Sequence, residues 1–226
     1  MLRVSCGVTR APPSLPYRCA PVCLTAWQAP LAVLYHGGYW KQQWTVDNTP
    51  INSVVPDLLC KGFGVVEVEY RRRDDEGGGW PGTNEDALLA LNALQTVAPC
   101  ECASLDLGNV TLIGHSAGGC LVLWLAAQEL QVRLALVVAV APVCDLNEAY
   151  FLKVSDEGDA VERYMKCTPE TDEGLAQYAH ASPAELIPRI KVRAALPGCC
   201  LADTRRHTKH AAVCLLSHTA REQASD

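Results

Sequence analysis

The 226-residue chain lacks several features that mark specialised classes of protein. No apolar run reaches the roughly 18 residues that a membrane-spanning helix needs, and the longest, Leu134 to Pro142, has the length of a buried strand. The chain contains 12 cysteines but no C-x-x-C pair, so a zinc site is not expected, and neither is any other metal or cofactor. These absences argue against a membrane protein or a metalloprotein and favour a soluble globular domain.

Acidic residues are absent from residues 1–46, and residues 189–226 are basic overall, so the net charge of −6 comes from the middle of the chain. The basic side chains at both ends are scattered and are not interleaved with aromatic ones, so no nucleic-acid partner is expected. No basic-then-apolar signal segment opens the chain. We therefore expect free thiols in a reducing compartment and a cytoplasmic location. The basic residues 1–26 leave open an organelle as the alternative.

Apolar runs alternate with helical patterns between residues 31 and 142. The predicted strands are 31–35, 63–70, 110–114 and 134–141, and the predicted helices lie within 50–61, 83–99 and 116–130. This alternation predicts the α/β class, with a doubly wound, mostly parallel sheet. After residue 144 the pattern loosens to helical turns within 145–166 and a short capped helix at 182–186. The predicted organisation is an irregular or targeting-like N-terminus (1–26), a core (27–192) and an atypical tail (193–226).

Ser116 stands in the segment Gly114-His115-Ser116-Ala117-Gly118-Gly119, where a predicted strand ends and a helix begins. A serine at such a turn adopts strained backbone angles that push its hydroxyl outward, and small neighbours let the turn close without a clash. The G-x-S-x-G pattern in this context predicts that Ser116 is a catalytic nucleophile. The alternative is a glycine-rich helix start that binds an anion or packs closely against a neighbour.

A second glycine-rich turn, His36-Gly37-Gly38-Tyr39-Trp40, follows an earlier predicted strand. Glycines at this point let backbone N–H groups face a substrate oxygen without obstruction by side chains. We therefore expect Gly37 and Gly38 to donate to an oxyanion. The N–H of Ala117, directly after the serine, is the third expected donor.

Other residues of these segments have expected roles outside the bond-breaking step. His36 is expected to be a structural hydrogen-bonding residue rather than a base. Tyr39 and Trp40 are expected to line the substrate entrance, with plain packing as the alternative.

Together these motifs resemble the α/β-hydrolase fold superfamily, and within it the esterase branch that includes kynurenine formamidase (arylformamidase) and feruloyl-esterase-like hydrolases. The matching segments lie between residues 30 and 192 and are 36–40, 69–72, 78–83, 85–86, 114–119, 143–146 and 181–183. The resemblance implies a serine nucleophile that forms an acyl-enzyme, an oxyanion hole of two glycines and the residue after the serine, and a small-molecule ester or amide as substrate. It also implies that Arg71 and Asp86 form a structural ion pair, because related esterases bond a Tyr-Arg after the strand to an acid at the start of the next helix.

The C-terminal region departs from this family pattern. The family places a triad acid after one more buried strand and a base histidine further on, but the short apolar segment 190–192 is followed by a proline and two cysteines. Asp203 and His218 keep the order serine, acid, histidine, although no predicted strand supports them. Asp145 follows a strand and is expected to cap a helix. The sheet is therefore expected to be incomplete at the C-terminus.

Two functions from different classes follow. The first is a serine hydrolase of carboxylic esters or amides, arylformamidase-like, that acts through an acyl-enzyme on Ser116. The second is a truncated, catalytically impaired relative that serves as a non-enzymatic remnant or a binding module. An acid and a histidine within reach of Ser116 would separate them. The sequence identifies neither the substrate nor the oligomeric state.

Overall fold

A single six-stranded sheet organises the protein in the computed structural model, which describes residues 2–5, 29–101 and 105–197 and gives only the backbone of 2–5 and 97–101. The strand order is β1-β3-β2-β4-β5-β6. The strands are β1 (Leu2–Ser5), β2 (Ala29–Tyr35), β3 (Gly64–Val68), β4 (Leu105–His115), β5 (Leu134–Val140) and β6 (Ala194–Ala195). All neighbours pair in parallel except β1, which runs antiparallel to β3. The predicted class and mostly parallel sheet are confirmed, whereas β1 was not predicted.

Helices follow most of the parallel strands, as the alternating sequence pattern predicted. They are α1 (Val55–Cys60), α2 (Gly82–Glu101), α3 (Ala117–Ala126), α4 (Leu146–Phe151), α5 (Ala160–Met165), α6 (Asp172–Ala181) and α7 (Pro183–Leu186). Short 3-10 helices precede α1 and follow α7, at Pro50–Val54 and Ile187–Arg189. The predicted short helix near residue 182 is therefore α7, with a proline in its first turn, where the missing N–H costs no helical hydrogen bond.

Side chains of β2 alternate between two layers, because successive residues of a strand point to opposite faces. Leu31, Val33 and Tyr35 join the large core that includes the apolar sides of α2 and α3. Ala32 and Leu34 join a smaller cluster on the other face, with apolar residues of α1 and the 3-10 helix before it. The sheet thus carries helices on both faces, which makes β2 a fully buried central strand.

The sequence predicts that β5 is buried on both faces of the sheet, and the structure differs from this prediction on one face. Val137 and Ala139 are fully buried on the side of the large core. Leu136, Val138 and Val140 point to the other face and are only partly buried among the described residues. The expected last strand is the two-residue β6, which lies beside β5 and begins after the predicted position 190–192.

The carboxyl ends of β2, β3 and β4 meet at one edge of the sheet. Tyr35 is in register with Val68 of β3 and with Gly114 of β4. The residues that follow these strands are therefore neighbours in space, although up to about 80 positions separate them in the sequence. In parallel α/β sheets this edge is where binding and catalytic groups gather.

The thiols divide into two groups. Among the described cysteines, Cys120, Cys144 and Cys167 are not joined in a disulfide, as expected. Cys60 is disulfide-bonded, so the prediction of free thiols is wrong at that position. The described helices include none with the length and apolar character of a membrane span.

Arg71 and Asp86 form the predicted structural pair. The guanidinium donates through Nε and Nη2 to the two carboxylate oxygens at 2.8 and 2.7 Å, and the Arg71 backbone N–H donates at 2.9 Å. Burial alone would raise the pKa of Asp86, but the hydrogen bonds and charge of Arg71 outweigh it and lower that pKa. The pair fixes the loop after β3 to the first turn of α2.

The pH dependence of the free energy of unfolding should show the contribution of the ion pair between Arg71 and Asp86. The pKa of Asp86 is lower in the folded state than in the unfolded state. Its contribution to stability is therefore fully present above its unfolded-state pKa of about 4, and it is lost as the pH falls through its folded-state pKa. We expect Asp86→Asn to flatten this acid limb in urea-unfolding curves measured as a function of pH. An acid limb identical to that of the wild type would contradict the assignment.

Candidate active site

Ser116 occupies a sharp turn between β4 and α3. Its backbone angles, φ 54° and ψ −115°, lie in a region that L-residues rarely adopt, at a cost of about 1–3 kcal/mol. Two hydrogen bonds maintain the turn: the Ser116 N–H donates to the carbonyl of Val140 at 2.9 Å, and the Cys120 N–H donates to the carbonyl of Ser116 at 3.0 Å. The turn is thus anchored to β5 on one side and to the first turn of α3 on the other.

Glycines surround Ser116 because backbone segments pass too close for a side chain. A Cβ on Gly118 would overlap the Tyr35 carbonyl and lie 2.5 Å from the carbonyl oxygen of His36. A Cβ on Gly119 would lie 2.8 Å from the Cβ of Pro142. The start of α3 is therefore packed directly against the carboxyl end of β2 and the chain after β5.

The segment of residues 36–40, here called the HGG loop, lies beside this turn. A Cβ on Gly37 would be 3.1 Å from the Cβ of Ser116 and 2.7 Å from the His115 carbonyl oxygen. Gly38 has φ +111°, in the region that favours glycine, and the Trp44 ring packs against it. Within the described part of the chain, no turn or loop acceptor takes a hydrogen bond from the N–H of Gly37, Gly38 or Ala117. The two glycine-rich motifs of the sequence thus meet at one point.

His36 and Tyr70 bind the carbonyl groups of the HGG loop. The His36 ring contacts the Gly37 carbonyl oxygen through Nδ1 at 2.8 Å. The Tyr70 hydroxyl donates to the His36 carbonyl oxygen at 2.6 Å, and the two rings stack with centroids 4.4 Å apart. His36 is 1% exposed, so these bonds form away from water. The structural role expected for His36 is consistent with this geometry.

Glu69 joins the other side of the His36 ring to a cation. Its Oε1 accepts from His36 Nε2 at 3.2 Å and from Arg72 Nη1, and its Oε2 accepts from the Val46 N–H at 3.0 Å. Burial alone would raise the pKa of Glu69, but its hydrogen bonds with His36 and Val46 and the positive charge of Arg72 outweigh it and lower that pKa. Sequence reasoning assigned no role to Glu69. The register of Tyr35 with Val68 explains the contact, because it places the residues that follow β2 and β3 side by side.

Tyr39 and Trp40 have different environments. Both have positive φ, 51° and 55°, and the Trp40 carbonyl accepts from the Arg73 N–H at 2.8 Å. Tyr39 is half-buried, whereas Trp40 is 0% exposed and stacks on Tyr164 with centroids 4.0 Å apart. This burial favours plain packing for Trp40, the alternative that the sequence left open, and its place at the substrate entrance stays a prediction.

The base and acid of a triad are not found beside Ser116 within the described residues. No described histidine or carboxylate is hydrogen-bonded to the Ser116 hydroxyl. The Asp145 carboxylate accepts from the Glu148 N–H at 3.0 Å at the start of α4, which confirms its predicted helix-capping role. Asp203 and His218 lie outside the described residues.

The sequence predicts no metal site. Among the residues that the structure describes, no group of three or more histidine, cysteine, aspartate or glutamate side chains could hold a metal ion.

Comparisons with solved structures place the fold among esterases. Esterase B from Lactobacillus rhamnosis aligns with TM-score 0.60 and 21% identity over 78% of this chain and 57% of its own. Esterase B from the same organism, inhibited with a tributyrin phosphonate, aligns with TM-score 0.56 and 16% identity over 88% and 78%. A putative thioesterase from a Silicibacter species aligns with TM-score 0.57 and 24% identity over 86% and 65%.

Two further comparisons were made, with curated proteins and with family models. No curated protein matches the chain. None of the three similar structures is a kynurenine formamidase, so that finer resemblance stays a prediction. The family model BD-FAE matches residues 24–189, which include both glycine-rich motifs. The chain therefore belongs to the BD-FAE family and has the fold of the esterases described above, the α/β-hydrolase fold.

Proposed function

We propose that the protein hydrolyses small carboxylic esters or amides, with arylformamides as the candidate amide class, through an acyl-enzyme on Ser116. The observation that carries the proposal is the meeting of the strained Ser116 turn with the HGG loop, where a Cβ on Gly37 would lie 3.1 Å from that of Ser116. Because the chain spans 57% of esterase B, the activity is proposed for this chain and not transferred to it.

The backbone around Ser116 supports stabilisation of a tetrahedral intermediate. Attack of the Ser116 oxygen on a carbonyl carbon moves negative charge to the carbonyl oxygen, and N–H groups aimed at that oxygen stabilise it. The N–H groups of Gly37, Gly38 and Ala117 border the serine and have no turn or loop acceptor within the described residues. Collapse of the intermediate releases the alcohol or amine and leaves the acyl-enzyme, which water then hydrolyses.

The proposed mechanism needs a general base that takes the proton of Ser116. General-base help accelerates such steps by about 10²–10⁴-fold. The sequence order serine, acid, histidine makes Asp203 and His218 the candidate pair. A chain without a base would bind ligands at this edge without turnover. That binding module is the second candidate function, favoured by the absence of a histidine bonded to Ser116 among the described residues.

Turnover by the purified chain tests these alternatives. We would assay p-nitrophenyl acetate, p-nitrophenyl butyrate and formanilide, and confirm folding by circular dichroism. The proposal expects hydrolysis of at least one ester together with formanilide. Hydrolysis of esters alone would overturn the arylformamide class, and a folded sample that hydrolyses none of the three would favour the binding module.

The neighbours Tyr39 and Trp40 should respond differently to substitution. Tyr39 is half-buried beside the proposed donors, so Tyr39→Ala should raise KM about 10-fold with a small change in stability. Trp40→Ala should lower the free energy of unfolding by about 3–5 kcal/mol, since it empties a buried position stacked on Tyr164. Thermal melts and KM values measured for both variants check this contrast. A Trp40→Ala protein with wild-type stability and a raised KM would reverse the assignment.

A further inference from the structure

We propose that a groove between α4, α6 and α7 is a docking site for a basic and apolar segment of the same chain, residues 205–216. The groove, here called the α4/α6 groove, is lined by Asn147, Leu175, Tyr178, Ala179, Ser182 and Glu185. Residues 205–216 lie outside the described residues, so the support comes from the surface of the groove and from the amino-acid sequence of the segment. This docking is independent of the proposed hydrolysis.

Large apolar side chains are exposed around this groove. Phe151 at the end of α4 and Leu152 just after it are 60% and 56% exposed, and Leu175 of α6 is 46% exposed. The Tyr150 ring makes edge-to-face contacts with Phe151 and with Tyr178, at centroid distances of 5.2 and 6.1 Å. Leu175 lies one helical turn before Tyr178 on the same face of α6. These side chains therefore form contiguous apolar surface, and exposed surface of this kind marks interaction sites on proteins.

The region around the groove is strongly acidic. Residues 144–188 contain ten aspartates and glutamates against three lysines and arginines, which gives a net charge of −7. Glu185 lines the groove itself. Burial raises the pKa of Tyr150, and the charges of Glu170 and Glu162 raise it further, so these carboxylates lie near the apolar side chains. An apolar surface bordered by carboxylates favours a partner segment that is both basic and apolar.

The segment 205–216 has the complementary sequence. It contains three lysines and arginines within 205–209 and ends with the apolar run 211–216, Ala-Ala-Val-Cys-Leu-Leu. Neither aspartate nor glutamate occurs in the sequence between Asp203 and Glu222. Opposite charges on two surfaces steer their encounter and disfavour wrong partners, and the apolar side chains supply the area that is buried. The segment and the groove therefore match in both respects.

The last described residue lies close enough for this docking. The carbonyl of Pro197 accepts from the Ala141 N–H at 2.9 Å. Asn147 of the groove is six residues beyond Ala141 and hence at most about 22 Å from it. Residue 205 is eight positions beyond Pro197, and eight residues span up to about 28 Å. The segment can therefore reach the groove of its own molecule, where the covalent link gives it a higher effective concentration than a separate partner has.

Zero-length cross-linking of the full chain tests the contact. A carbodiimide joins a lysine amine to a carboxylate that touches it, and Lys209 is the one lysine within 205–216. We expect peptides in which Lys209 is joined to Glu185 or to another carboxylate of residues 144–188. They should form more slowly in 1 M salt, which shortens the screening length to about 3 Å. A folded sample in which Lys209 joins none of these carboxylates would overturn the proposal.

Two leucine variants separate docking in the groove from non-specific contact. Leu175→Ser removes exposed apolar surface of the groove, and Leu89→Ser is its matched control, because Leu89 is 71% exposed on α2. We expect Leu175→Ser to lower the initial rate of Lys209 cross-linking about 5-fold, and Leu89→Ser to leave it unchanged. Both side chains are exposed, so both variants should melt close to the wild-type temperature. Equal cross-linking rates in the two variants would overturn the docking site.

Isotope labelling identifies the occupant of the groove. We would mix equal amounts of unlabelled and ¹⁵N-labelled full chain before cross-linking and weigh the joined peptides by mass spectrometry. Docking within one molecule gives pairs in which both peptides carry the same isotope. Pairs that mix the two isotopes in statistical proportion would overturn docking within the same chain and make a second copy the occupant.

Discussion

Replacing Ser116 by alanine is expected to abolish labelling by a fluorophosphonate probe and to lower kcat for ester hydrolysis by at least about 10³-fold. The hydroxyl is the only group of Ser116 that this change removes. Alanine keeps the Cβ and the backbone of the turn, so the bonds of Ser116 to Val140 and Cys120 remain. The loss should therefore be chemical and not structural.

A matched serine controls for non-specific reaction with the probe. Ser53 is exposed, and its hydroxyl makes only a local bond to the Pro50 carbonyl at 2.8 Å. Ser53→Ala should label and turn over substrate as the wild type does. Labelling that persists in Ser116→Ala would remove this serine from the nucleophile role. A folded wild type that never labels would indicate an inactive serine and favour the binding module.

Labelling also reports on the unassigned base. A serine hydroxyl is a weak nucleophile at its ordinary pKa and needs an adjacent base to become reactive. Loss of labelling in His218→Ala, with a melting temperature equal to that of the wild type, would support His218 as that base. Two of the described histidines offer a contrast, since the His36 ring contacts Glu69 and Gly37 and the His180 side chain is exposed on α6.

The order of strands and helices was predictable because each signal is local. The apolar run of β2 is followed by a glycine-rich loop, and the serine turn lies between β4 and α3. Because the carboxyl ends of parallel strands meet at one edge of a sheet, these two local patterns were enough to predict that the motifs lie close together. Periodicity could not show that one face of β5 is only partly buried, since burial depends on what packs there. β1 was not predicted because a segment of four residues is too short to show a strand pattern. Its partner β3 also lies about 60 positions away in the sequence.

The contacts that organise the site depend on register, which the sequence does not display. Trp40 is of a residue type that often lines pockets, yet in the structure its backbone has a positive φ and its side chain lies in the core, stacked on Tyr164. Glu69 meets His36 only because Tyr35 and Val68 are paired. The signal that could have predicted this pair is a histidine directly after one strand and a glutamate directly after the neighbouring parallel strand. Using it would have required the strand order, which the structure supplies.

Gly118→Ala should be among the most destabilising substitutions in the protein, although it places a better helix former in α3. Alanine favours a helix interior by about 1 kcal/mol over glycine. Against this, the new Cβ would overlap the Tyr35 carbonyl and lie 2.5 Å from that of His36, and both are backbone atoms that no rotamer change can move. Overpacking of this kind costs about 3 kcal/mol or more. The clash therefore outweighs the propensity by about 2 kcal/mol or more, and the melting temperature should fall by at least about 4–8 °C.

Gly108→Ala provides the matched control for this clash. Among the described residues, its Cβ would come close only to the Asp106 carboxylate oxygen, at 3.1 Å, which is the end of a side chain that can shift. We expect a change of about 0.5 kcal/mol, so thermal melts of the two variants should differ clearly. A melting temperature of Gly118→Ala within about 2 °C of the wild type would mean that α3 can move away from β2 at little cost. The backbone donors beside Ser116 would then not be held in place, because the packing of α3 against His36 is what keeps the HGG loop next to the serine.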